Sequence, residues 1–145
     1  MATITQLYNH TVNRFNEGAN IEGDTYKLML LNGGTFTAAH TTLAQVQATG
    51  TEVYGNGWPQ GGFTLTGVAA AVADTDGGSW TFDEVIQAIS GGSLGPYDHY
   101  VIYNDTDTDN PPVCLVTMET ALTVTSGNSA SIKPPAGGLI TWTVA

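Results

Sequence analysis

The spacing of apolar residues changes once along the 145-residue chain, near position 24. Before it, Ile4, Leu7, Tyr8, Val12 and Phe15 recur at helical spacing, on one face of a 3.6-residue period. Thr3 and Gln6 have the form of a capping box, and Gly18 supplies a stop. The spacing predicts an amphipathic helix over 4–16, whose apolar stripe either packs on a sheet or reaches a neighbouring subunit.

From Asp24 onward the pattern shortens to runs typical of strands. Thr25–Leu31 is apolar and ends at Asn32-Gly33-Gly34, a turn. Phe36–Val46 reads either as an irregular loop or as a short helix presenting Ala39, Leu43 and Val46. Glu52-Val53-Tyr54 leads into Gly55-Asn56-Gly57-Trp58-Pro59-Gln60-Gly61-Gly62, the densest group of chain-bending residues. Phe63–Thr66 alternates, Val68–Val72 continues apolar, and Asp74–Gly78 is a turn. Trp80–Phe82 and Val85–Ile89 are read as two strand pieces around Asp83-Glu84, in preference to a helix over 82–89, because Val and Ile are β-branched. Tyr97–Tyr103, Val113–Met118, Thr120–Thr125, Ser129–Lys133 and Leu139–Val144 complete the strands. Turns at roughly ten-residue intervals are the signature of a sandwich or barrel. The expectation is a mainly β fold: a single β-sandwich or barrel-like domain over 1–145, with the helix or arm at 4–16 and a β domain over 24–145.

Composition agrees. Twenty-two threonines and eighteen glycines suit strands and tight reversals. Thirteen acidic residues face three basic ones, Arg14, Lys27 and Lys133, for a net charge of −10. Three scattered cations cannot neutralise a phosphate backbone or an anionic bilayer, so neither nucleic acid nor membrane is an expected partner. Cys114, the single cysteine, cannot form an internal disulfide or a cysteine metal cage, and its apolar neighbours predict burial. The first residues lack a basic segment followed by an apolar run, so synthesis in a cytoplasm is expected. No apolar stretch reaches the length of a membrane span.

Candidate chemistry is sparse. Gly91-Gly92-Ser93-Leu94-Gly95 matches a nucleophile elbow, which needs a strand turning into a helix beside a histidine. Pro96 and a strand follow instead, and Asp98 and His99, adjacent on that strand, are expected to point to opposite faces. A loop is the preferred reading. Asp105, Asp107 and Asp109 alternate like the first half of a calcium loop, but Asn110 stands where glycine belongs and Val116 where glutamate belongs. A solvated hairpin loop is preferred, with a weak calcium site on these three carboxylates as the alternative; Asp74 and Asp76 are read the same way. His10, His40 and His99 have no metal-ligand spacing. Trp58, beside Tyr54, and the strand tyrosines Tyr97, Tyr100 and Tyr103 could stack on sugar rings, although rings in strands more commonly fill cores or subunit contacts. No catalytic, cofactor-binding or metal-binding set is assigned, and an enzyme is not expected.

A wider pattern runs through the chain: Leu7–Thr11, Arg14-Phe15, Asp24–Leu30, Phe36–Leu43, Glu52-Val53, Gly57 with Gly61-Gly62, Phe82-Asp83 and Tyr100–Thr106. It resembles a group of small virion proteins of tailed bacteriophages. These are structural signatures, not a catalytic motif. The resemblance implies a capsid decoration or cement protein on the head exterior, with the major capsid protein as partner. Symmetric closure as a homo-oligomer, a trimer being favoured, would multiply weak contacts by avidity. The alternative is a head- or tail-fibre module that grips host glycan through the Trp58 loop. A hydrolase using Ser93 and His99 is the third class.

Overall fold

A computed structural model describes residues 3–9, 11–12, 23–73, 77–136 and 138–143. The chain is mainly β, and its sheets are antiparallel throughout. The strands are β1 (Thr3–Leu7), β2 (Tyr26–Asn32), β3 (Thr51–Val53), β4 (Phe63–Thr64), β5 (Ala69–Ala73), β6 (Gly77–Thr81), β7 (Val85–Ala88), β8 (Leu94–Asn104), β9 (Pro112–Val124), β10 (Ser129–Ile132) and β11 (Ile140–Thr143). A short helix, α1 (Leu43–Gln47), lies between β2 and β3.

The largest sheet runs β1-β9-β8-β2-β3, with β4 also paired to β2. Its centre is apolar on both faces. Tyr26, Leu28 and Leu30 point from β2 into one core with Tyr100 and Ile102 of β8 and Cys114 and Val116 of β9. Met29, Leu31, Val101, Tyr103 and Leu115 point the other way and meet Tyr8, Leu43, Val46 and Phe36. Double burial explains why β2 reads as a continuous apolar run instead of alternating. The first core is completed by Trp80, Phe82, Leu139 and Ile140, from or beside β6 and β11 of a three-stranded sheet (β11-β6-β5). Ile89, Ala130 and Ile132 join it from the β7–β10 ribbon. Tyr26 and Trp80 meet edge to face, with ring centroids 5.4 Å apart. Gly62 lets β4 reach β2: its φ is +90°, and a Cβ there would sit 2.1 Å from the Leu28 carbonyl oxygen.

The helix expected over 4–16 is not present as such. Residues 3–7 are a strand paired antiparallel with β9, from Thr3 opposite Met118 to Leu7 opposite Cys114. Thr3, Ile4 and Thr5 are β-branched, and an open β9 edge offers them a ladder that outweighs the helical spacing. After the strand, the N–H groups of Thr11 and Val12 donate to the Tyr8 carbonyl, and the Thr11 hydroxyl donates to Val113 O at 2.7 Å. The remainder of that helix, residues 10 and 13–16, lies outside the described residues, as do His10, Arg14 and the turn at Asp74–Asp76.

Between Phe36 and Val46 the helix alternative is realised only over α1. Thr42 caps it, with the Thr42 hydroxyl accepting from Gln45 N and the Gln45 side chain accepting from Thr42 N. Leu43 and Val46 are buried, whereas Ala39 sits exposed in a turn. Thr120–Thr125, read as a strand of its own, largely continues β9.

Candidate functional site

The elbow sequence does not build a nucleophile. β8 starts at Leu94 and runs through Pro96, so no helix follows Ser93. The exposed Ser93 offers its carbonyl oxygen to Asn56 Nδ2 at 2.8 Å. His99 lies six residues further along the chain, roughly 20 Å at extended spacing. Asp98 and His99, however, are not on opposite faces in effect. Four residues of β9, Met118–Ala121, lie opposite the single residue Asp98 between the pairs Tyr97–Leu122 and His99–Thr117. This bulge breaks the two-residue period, so Tyr97 and Tyr100 share one core and Asp98 reaches its neighbour. Asp98 Oδ1 lies 2.6 Å from His99 Nδ1 and accepts the Gly33 N–H at 2.8 Å. Partial burial pushes the Asp98 carboxyl up, but the His99 and Gly33 bonds outweigh it and hold its pKa below the usual value. The pair ties β8 to the turn after β2.

The acidic loop is organised by Asn104. The buried Asn104 side chain accepts from Thr106 N and Asp107 N and donates to Asp24 Oδ2 at 2.8 Å. Asp105 pairs with Lys27 at 3.1 Å, and the Asp109 carbonyl accepts from Leu43 N. Asp109 and Asn110 both take positive φ, which these two residue types tolerate. Among the described residues no three His, Cys, Asp or Glu side chains gather closely enough to hold a metal ion.

The glycine cluster around Trp58 also has a structural use. Asn56-Gly57, both at positive φ, close a tight hairpin in which Gly55 and Trp58 exchange backbone hydrogen bonds. The turn tucks the indole inward against Phe63, edge to face at 4.7 Å, leaving Trp58 only 2% exposed. Its ring is therefore not a surface platform for sugar. Tyr97, Tyr100 and Tyr103 are buried as well, while Tyr54 stands 52% exposed. Cys114 fills the core as its neighbours predict, and burial pushes its thiol up to about 12. Such a thiol is inert as a nucleophile.

What the surface does present is the outer face of the β7–β10 ribbon. Ile86 pairs with Ser131 and Ala88 with Ser129, and all four are exposed, Ile86 at 61%. Val85, Ile89, Ala130 and Ile132 face the core from the same segments. Each ribbon strand is paired on one side only among the described residues. Neither strand carries a charge or a proline, the usual guards on an open edge. On a chain of net charge −10 this is a partly apolar face, with the Glu84 carboxylate at its edge accepting from the Ser131 hydroxyl. Sequence reasoning missed Ile86 because Val85-Ile86-Gln87-Ala88-Ile89 is apolar on both alternating faces, so period alone does not show which is outward. No protein-family model matches the chain, and neither a curated protein nor a solved structure matches it.

Proposed function

We propose that this chain is a structural protein of a tailed-bacteriophage virion, a decoration or cement protein that adds to the outer head surface and stabilises the capsid lattice. The observation that supports the reading best is the exposed, partly apolar face of Ile86, Ala88, Ser129 and Ser131 on a strongly acidic molecule. Acidity keeps free copies apart and away from packaged DNA. An exposed face with one large aliphatic side chain is where such a molecule can nevertheless make protein contact. The sheets are proposed to form one β-sandwich domain, the six-stranded sheet facing the two smaller ones across the main core. Three copies closing around a local threefold position would gain avidity from contacts that are individually weak. The partner is the major capsid protein, the mechanism is mechanical clamping, and no bond is made or broken.

A test uses heads of the parent phage stripped of this protein. Purified chain should rebind them and raise their resistance to heat. Ile86→Asp should weaken rebinding by about tenfold or more, as for a central apolar contact. Its unfolding midpoint should hardly move, because the side chain is exposed. Chain that ignores stripped heads rules the cement role out. The fibre reading would have to use Tyr54, because Trp58 is buried.

A further inference from the structure

The bulge between β8 and β9 has a second result. As Met118–Ala121 bow away from β8, a cavity of about 390 Å³ opens, lined by Tyr97, Tyr100, Met118, Leu122, Ile132 and Pro135, with Ser131 and the exposed Lys133 also on its wall. Its volume lies in the range of small-molecule sites. Most of the lining is apolar. Tyr97 and Tyr100 are 2% and 5% exposed, and neither phenol hydroxyl takes part in a hydrogen bond among the described residues. Burial raises the pKa of both phenols, which keeps them protonated and able to donate. The Ser131 hydroxyl is already donated to Glu84. The groups left at the cavity are thus two phenol O–H donors and the Lys133 ammonium, the last a third donor and a positive charge. Their complement is an acceptor bearing negative charge, on an apolar body that fits among Met118, Leu122 and Ile132.

We propose that this cavity binds a small amphipathic carboxylate, with its alkyl or aryl body inside and its carboxylate at the phenols and Lys133. The site does not depend on the lattice reading. The test is an NMR titration of the full labelled chain with sodium hexanoate, with 1-hexanol as the uncharged counterpart. Hexanoate should shift the amides of Tyr97, Tyr100, Met118, Leu122 and Ile132 saturably and bind more tightly than 1-hexanol. Lys133→Met removes an exposed charge without touching the core, and should weaken hexanoate by about three- to tenfold while leaving 1-hexanol unchanged. Tyr100→Phe should weaken hexanoate as well, and Leu122→Trp, which fills the space, should abolish binding of both in a protein that keeps its dispersed spectrum. Absence of saturable shifts at these residues overturns the site. Equal binding of the two probes, or indifference of hexanoate to Lys133→Met, overturns the carboxylate assignment.

Discussion

Trp58 shows how a residue's surroundings decide its use. Its indole is a candidate sugar platform when seen among four glycines, yet the Asn56-Gly57 turn folds it onto Phe63. Removing it should empty core volume: Trp58→Ala is expected to cost about 3–5 kcal/mol in urea unfolding, and Tyr54→Ala no more than about 0.5 kcal/mol. A small loss at Trp58 would contradict its burial. Asp98 makes a second expectation. Its native pKa is lowered relative to the unfolded chain, so its stabilisation is complete above the unfolded value of about 3.9 and disappears as pH falls through the native value. Asp98→Asn should therefore be less stable than the natural chain at neutral pH, with the gap closing below about pH 4. A gap that stays constant with pH would show that the carboxylate does no such work.

Elements were legible wherever local chemistry and tertiary partners agree. The runs at β2, β8 and β10, and the break at Asp83-Glu84 between β6 and β7, follow from β-branched and aromatic residues bounded by turns. Reading failed where a partner distant in sequence decides. Thr3–Leu7 carries half of a helical stripe, but β9 recruits it as an edge strand, and nothing local announces that pairing. The β9 bulge was equally hidden, since Glu119 reads as a break between two strands, Val113–Met118 and Thr120–Thr125; with it were hidden the Asp98–His99 contact and the cavity. The acidic loop is an intermediate case: its turn character was visible, its organiser was not. Asn104 supplies two acceptor bonds and one donor bond from a buried position, so Asn104→Ala should cost about 1–3 kcal/mol in equilibrium unfolding. The half-exposed Lys27–Asp105 pair is worth less, and Asp105→Asn should stay within about 1 kcal/mol. Equal losses would mean that charge pairing, and not the asparagine, holds the loop.

At the scale of the molecule, a central sheet buried on both faces leaves edges, loops and the outer ribbon face for contact with anything else. The chain is strongly acidic, and the ribbon strands themselves carry no charged residue, with Glu84 at their edge against Ser131. The absence of charge within the two strands was readable in the sequence; the outward orientation of Ile86 was not, because that depends on how the ribbon lies over the core. The whole account predicts that the molecule works by occupying a place in a larger assembly. Imaging of the parent virion at a resolution that resolves strands addresses this most directly. The account predicts density for this chain on the outside of the head, with Ile86 and the ribbon face turned into the contact with the capsid shell. Its absence from the head, or a position there with that face turned to solvent, would contradict it.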